Sequence, residues 1–283
     1  LIDCGEGTQR QLISSIGLVE LDDIFLTHFH ADHWLGLPGM LKTFDLRARE
    51  APLRLYGPPG IRALMTDVMR FAGRTTFELR IIELDPGEVL ERDGYRIAAV
   101  PVSHRTPAYA YVLFEDERPG VFDPAAAVAA GLTPGPEFGR LQRGETVRGV
   151  TPAQVMGPPR RGRKIAVSGD TRPSESLKAA AQGADLLVHE ATFAMEDAER
   201  AYETGHSTAS QAAGVARDAE VQMLALYHFS IRYPVGVLRD EAREIFPGAV
   251  LPRDFDTVEI PFIERGSPEL VRWSERRAEP VTP

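Results

Sequence analysis

Along most of the chain, short runs dominated by apolar residues give way to stretches in which apolar positions recur every three or four residues. The runs at 23–27, 53–56, 95–102, 109–114, 164–168, 185–189 and 222–227 predict strands. The helical spacing at 59–71, 174–182, 207–219 and 235–246 predicts helices, the third with Ser207 as its N-cap. Strands alternating with helices in this way predict an α/β layered architecture.

The alternation stops between 119 and 159, where Pro-Gly, Thr-Pro-Gly-Pro and Gly-Pro-Pro punctuate a stretch with no clear period outside the alanine-rich 124–130. This segment reads as an arm projecting from the core. Residues 264–283 are charged and proline-bearing and read as a loosely held tail, so one domain is expected over 1–263. The chain opens on Leu1 within an apolar run that reaches Asp3-Cys4-Gly5 at once, as a sequence beginning inside a strand would.

Composition adds limits. With 283 residues and 43% apolar content the chain can bury a sizeable core. Its single cysteine, Cys4, excludes an intrachain disulfide, and no apolar run approaches the roughly 18 residues that would span a membrane. No signal peptide is recognisable, which makes the cytoplasm the expected compartment.

The net charge of −9 argues against a general nucleic-acid coat protein. Its distribution changes that picture. Between Arg140 and Lys164 seven cations face one acid, Glu145, so this stretch carries +6 and the remainder −15. Such a run is either a solvated basic loop or a local surface for phosphates.

The strongest chemical signal is His28-Phe29-His30-Ala31-Asp32-His33, directly after the apolar Ile24-Phe25-Leu26-Thr27. A strand ending in a loop holds such side chains on a rigid edge while letting them turn to one point. By chance this pattern occurs on the order of once in several thousand chains of this size, which makes an accidental surface cluster a poor account. Three imidazoles and a carboxylate within six residues are also too many for one catalytic zinc with an open position, so two metals are implied. Taken singly, His104, His189, His206 and His228 are each more often an ordinary satisfied or exposed histidine. All four adjoin predicted element ends, however, and the centre needs ligands at that edge. Asp170, just past the 164–168 strand, is either a carboxylate bridging two metals or the N-cap of the helix that follows.

The His-x-His-x-Asp-His motif followed by separated His, Asp and His resembles the metallo-β-lactamase superfamily. Asp3-Cys4-Gly5-Glu6-Gly7-Thr8-Gln9, Gly36-Leu37-Pro38-Gly39, Ser168-Gly169-Asp170-Thr171-Arg172, His189-Glu190-Ala191-Thr192, His206-Ser207-Thr208 and the Gly135-Pro136 region narrow this. Together, over about 1–262, they resemble the ribonuclease Z family of tRNA 3′-processing endonucleases.

The resemblance implies an αββα sandwich with an inserted basic arm, and two Zn2+ ions per chain, though Mn2+ or Fe2+ also suit these donors. It implies His28, His30 and His104 on one ion, Asp32, His33 and His228 on the other, and Asp170 bridging them. Asp32 would also act on the nucleophile, and Glu190 and His206 would handle the leaving group's proton, while His189 stays structural. The implied reaction removes the 3′ trailer from precursor tRNA, with the arm gripping the tRNA body, in a homodimer without membrane attachment. A strand and a Pro-x-Lys-x-Arg-Asn loop are expected upstream of Leu1. A thioester or β-lactam hydrolase would use the same metals but needs neither the arm nor the His-Ser-Thr acid. A non-catalytic, metal-stabilised RNA-binding module would need a closed coordination shell and would leave Glu190 and His206 unexplained.

Overall fold

The structure, a computed structural model, describes residues 1–17 and 20–276. Strand β1 (Asp23–Phe25) pairs in parallel with β2 (Leu53–Gly57), and β2 with β3 (Leu79–Glu83). Residues 1–3 run alongside β1, with the Phe25 amide donating to the Leu1 carbonyl. The second sheet holds β4 (Val89–Arg92), β5 (Tyr95–Pro101), β6 (Tyr109–Glu115), β7 (Lys164–Val167), β8 (Leu186–Glu190), β9 (Met223–Tyr227) and β10 (Ala249–Val250). These seven stand in the order β10-β9-β8-β7-β6-β5-β4. Pairing is antiparallel from β4 to β7 and parallel from β7 to β10. The parallel half follows from its connections, because each crossover carries a helix, at Glu175–Ala181, Ala209–Asp218 and Val235–Ile245.

Those helices cover the outer face of the large sheet, burying Leu177, Ala212, Ala216, Leu238 and Ala242 against Val112, Ala166, Leu187 and Leu224. Helices Leu37–Leu46 and Ile61–Ala72 cover the small sheet in the same manner, with Met40, Leu41 and Met65 on Ile24, Leu53 and Leu55. Between the sheets lie Phe25, Tyr56, Tyr109 and Tyr111, the first two with stacked rings 4.7 Å apart. The Tyr111 hydroxyl donates to the Leu26 carbonyl at 2.8 Å, which ties the large sheet to the strand end leading into His28. Four layers result, the expected αββα sandwich. Among the described residues, no helix is long and apolar enough to cross a membrane.

Several elements differ from expectation for identifiable reasons. Helix Leu37–Leu46 is hidden in the sequence by Leu37-Pro38-Gly39, which reads as a turn, yet Pro38 stands in the first helical turn where no N–H is missed. Thr208, not Ser207, caps Ala209–Asp218, accepting from the Gln211 amide in a capping box. The Ser207 hydroxyl donates instead to the Thr171 carbonyl.

The arm is more ordered than its sequence suggests. Its legs meet in antiparallel bridges at Arg118 with Arg160 and at Phe122 with Met156. Beyond them, Pro124–Ala129, Pro136–Gln142 and Pro152–Val155 form short helices around a separate core of Ala127, Leu132, Leu141, Val147, Val150 and Val155. Of the prolines in the Pro-Gly, Thr-Pro-Gly-Pro and Gly-Pro-Pro breaks, Pro136 opens a helix in its first turn, as Pro124 and Pro152 do elsewhere in the arm. The expectation of a basic arm needs correction. Within 119–159, Arg140, Arg143 and Arg148 are balanced by Asp123, Glu137 and Glu145, and all three pair with Glu145 or Glu137. The other four cations lie at or beyond the neck, where Arg160 meets Glu264, Arg161 meets Asp185, Arg163 meets Glu115 and Lys164 donates to the Gln182 carbonyl.

The expected loose tail is likewise held as far as it is described. Glu264 accepts from Arg118 and Arg160, Phe262 lies 3.4 Å beneath the Arg118 guanidinium, and β11 (Thr257–Glu259) pairs with β12 (Glu269–Val271). Its positions 277–283 lie outside the described residues.

Candidate metal centre

Most candidate side chains stand at or just past a strand end, and His206 in the connection between helices Ala198–Thr204 and Ala209–Asp218. His28 follows β1, His104 follows β5, Asp170 follows β7, Glu190 ends β8 and His228 follows β9. Parallel strands align their carboxyl ends, so loops remote in sequence converge there. The convergence demands unusual backbone. Gly169 has φ +60°, and a Cβ on it would stand 2.9 Å from Thr27 Cβ and 3.0 Å from the Tyr109 carbonyl oxygen. His228 itself lies in the left-handed region at φ 57°, a conformation rare outside glycine and concentrated at functional sites.

His28, His30, His104 and Asp170 present donor atoms that lie within 4.8 Å of one another, and so do Asp32, His33 and His228. Asp170, His206 and His228 form a third such set. Asp170 stands between the first two, its Oδ2 3.6 Å from His28 Nε2, 3.4 Å from His33 Nε2 and 3.6 Å from His228 Nε2. It does not cap the next helix, since Ser174 does. His189 enters none of these sets. It is buried in the core with Nδ1 against the Glu190 carbonyl at 2.8 Å.

The far sides of the rings are fixed by groups that sequence reasoning had not assigned. Asp3 accepts from His33 Nδ1 at 2.6 Å, and the Gly205 carbonyl accepts from His104 Nδ1 at 2.7 Å. The Thr27 hydroxyl donates to Asp3, so it accepts from His28 Nδ1 at 3.1 Å. By the same reasoning Thr192 donates to Glu190 and accepts from His228 Nδ1 at 2.8 Å. Each of these four rings is therefore left with Nε2 as its donor atom, the arrangement that orients histidine ligands. His28 Nε2, His33 Nε2 and Asp170 Oδ1 are buried with no hydrogen-bond partner. Buried polar atoms go unpaired rarely and at a cost, and a divalent cation is the chemistry that satisfies this combination.

The charge states of these groups are set by burial and by the neighbouring carboxylates, and His33 holds a proton that a bound cation would displace. Burial, reinforced by the neighbouring imidazoles, lowers the His28 pKa to about 3 and keeps the ring neutral. Burial also depresses His33, but the carboxylates of Asp170 and Asp3 on its two sides outweigh it and raise the value to about 10. Hydrogen bonding from His228 pulls Asp32 down to about 2, and against the penalty of burial His33, His228 and His28 hold Asp170 well below the usual carboxylate range. The Asp32 side chain is 62% exposed and marks the open side of the centre.

Beside this cluster, Glu190 is fully buried and satisfied at both oxygens. Oε1 accepts from the Thr171 and Ser207 amides and from His206 Nδ1 at 2.9 Å, while Oε2 accepts from the Thr192 amide and hydroxyl. One carboxylate thus pins three loops and orients His206.

The turn that bears Asp32 and His33 docks on residues 3–5, with the Gly36 amide donating to the Cys4 carbonyl at 2.9 Å. A Cβ at Gly36 would fall 1.9 Å from the Gly5 carbonyl oxygen. Gly36→Ala should therefore push this turn outward and lower stability by about 1–3 kcal/mol, read from urea unfolding. An unchanged midpoint would mean that the two segments are not held this close.

Comparison with known proteins follows the same line. A family model described as a β-lactamase superfamily domain matches residues 1–125. Among solved structures, the short form of human tRNase Z superposes with a TM-score of 0.65 at 26% identity, covering 92% of this chain and 87% of that one. A metallo-β-lactamase fold protein of Bacillus subtilis gives 0.64 at 19% identity, over 89% and 83%, which speaks for the fold alone. Ribonuclease Z of Methanosarcina acetivorans is 43% identical over 271 residues, 93% of this chain and 88% of its own length. That of Myxococcus xanthus is 46% identical, covering 92% and 88%. Identity at this level over nearly the full length of both partners means that the chain belongs to the ribonuclease Z family.

Proposed function

We propose that this chain removes the 3′ trailer from precursor tRNA, leaving a tRNA that ends in a 3′-hydroxyl and a trailer with a 5′-phosphate. The observation that carries this reading is the convergence of metal-type donors at one edge beside a Glu190–His206 pair that is not needed to hold them. His28, His30, His104 and Asp170 would hold one zinc ion, and Asp32, His33, His228 and Asp170 a second, with Mn2+ or Fe2+ as acceptable substitutes. When bound, such ions supply Lewis acidity and a water that ionises near neutral pH.

The remaining work belongs to the chain. Asp32, open to solvent, orients the attacking water through its free carboxylate edge. Glu190 and Thr192 occupy His206 Nδ1, so the proton given to the departing ribose oxygen sits on Nε2. The buried Glu190 carboxylate stabilises the imidazolium until that proton leaves. We place the reaction in the cytoplasm, where Cys4 stays reduced and buried, and in a homodimer that covers Leu46 and Phe71, which are 87% and 90% exposed at the ends of packed helices.

Mapping the 3′ ends of a precursor tRNA incubated with the metal-loaded protein tests this directly. One cut leaving a 3′-hydroxyl, lost on chelation, is expected. Cleavage that survives chelation, or hydrolysis of a thioester with the precursor untouched, would overturn the reading.

The arm is proposed to bind the tRNA body, away from the chemistry. Its ends are adjacent, with the Gly157 amide donating to the Val121 carbonyl at 2.8 Å, so residues 122–155 can be replaced by a short Gly-Ser linker. All proposed ligands lie outside that interval. Hydrolysis of a small chromogenic phosphodiester should persist, while KM for precursor tRNA rises about tenfold or more. Because only Arg140, Arg143 and Arg148 are removed, the salt dependence of tRNA binding should flatten by at most about three in slope. Equal loss on both substrates would make the segment a support of the fold.

A further inference from the structure

On the helix that leads into His206, the chain displays an aromatic ring with two cations near it in the fold that the chemistry above does not use. Tyr202 lies on helix Ala198–Thr204, whose C-cap Gly205 supplies the carbonyl that orients His104. The helix end is rigidly placed, since the His206 and Gly205 amides both donate to the Ala201 carbonyl, at 2.8 and 3.0 Å. Arg172, two residues after Asp170, donates through Nε to the Tyr202 carbonyl at 2.7 Å and lays its guanidinium 4.9 Å from the Tyr202 ring centroid. One face of the ring is thus covered, and the residue is still 69% exposed. Its hydroxyl makes no hydrogen bond among the described residues, and neither Arg172 nor Arg105 forms an ion pair there. Arg105 flanks the same spot, its Cγ 3.1 Å from where a Gly205 Cβ would stand.

An exposed tyrosine alone is unremarkable. A ring backed by the Arg172 guanidinium, on a helix end that Arg105 also touches and that leads directly into His206, has the parts of a nucleotide platform, a π-face for a base and cations for its phosphate. We infer that Tyr202, with Arg172 and Arg105, forms a subsite for the nucleotide immediately 5′ of the cut, its base stacked on the open face of Tyr202. The side follows from the proposed function, on which this inference rests. His206 serves the departing 3′-oxygen, and that oxygen belongs to the last nucleotide the tRNA keeps. Stacking accepts any base, so the subsite holds this position without reading its identity.

The test uses the metal-loaded full chain and two precursor tRNAs, one natural and one abasic at the nucleotide preceding the cut. On the natural precursor, Tyr202→Ala should raise KM roughly 5- to 100-fold, the span expected for a lost base stack, with kcat little changed. Tyr202→Phe, which keeps the ring, should restore the KM. On the abasic precursor the wild type should itself be weakened by a similar factor, and Tyr202→Ala should add nothing. A cost of Tyr202→Ala that persists on the abasic precursor, or that falls on kcat alone, would show that the ring merely props the Gly205 turn and would overturn the subsite. A wild type that leaves the natural precursor uncut would instead bring down the functional reading, and the subsite with it.

Discussion

Asp170→Ala is expected to abolish phosphodiester hydrolysis and to lower bound metal, the largest effect of any single substitution in this chain. Its carboxylate lies within 3.6 Å of His28, His33 and His228 Nε2 together, with a side chain only 2% exposed. Without it, buried donors converge with no anion between them to offset the charge of a cation. Asp170→Asn, similar in size, separates charge from shape and should lose metal almost as fully. His30→Ala removes one donor from a set that keeps His28, His104 and Asp170, so hydrolysis should vanish while metal loss is partial. Metal analysis of the purified variants, paired with a chromogenic diester assay, decides the matter. Either alanine variant retaining wild-type metal content and near-normal turnover would show that its side chain is not a ligand.

How much of this centre could be read beforehand depends on the distance over which its parts cooperate. His28, His30, Asp32 and His33 are legible because the donors crowd one strand end and need no tertiary information. His104 and His228 are candidates by their places at predicted element ends, a mark they share with His189 and His206, and only the family resemblance separates them from those two. Asp170 reads equally well as a helix cap, a role that the structure gives to Ser174. Thr27, Thr192 and the Gly205 carbonyl could not be found at all, because a hydroxyl or backbone oxygen that fixes an imidazole looks like any other in sequence. Asp3 stood within a noticed stretch, but its partner lies 30 residues away.

The same limit governed the fold. Strand and helix periods gave the alternating core to within a residue or two at most element ends, since buried faces impose them locally. The charge of the arm was misjudged because the basic window, 140–164, is not the arm: Arg160, Arg161, Arg163 and Lys164 lie past its end, while Asp123 and Glu137 stand in its first half, ahead of the window. Outside the alanine-rich 124–130, its helices were missed because they are short and because a proline such as Pro136 signals a break in the middle of a helix and a start in its first turn.

His206→Ala should slow cleavage of precursor tRNA by roughly 100- to 10,000-fold while leaving the metal content unchanged, the usual range for losing a proton donor to a poor leaving group. The ring stands 5.5 Å from that of His228 in a stacked arrangement, near enough to the centre to serve it, yet its Nδ1 is committed to Glu190 and Thr192. Glu190→Gln keeps the shape and most donor contacts but removes the charge that stabilises the protonated ring, so a smaller loss is expected, on the order of tenfold. The leaving group gives a sharper check. A chromogenic diester that expels a nitrophenolate needs no proton at departure, so His206→Ala should cost far less on it than on RNA, whose departing ribose oxygen is strongly basic. The third donor set, Asp170 with His206 and His228, leaves open a direct role on the metal. Loss of bound metal in His206→Ala, or an equal loss of rate on both substrates, would assign the ring to metal binding and remove it from proton transfer.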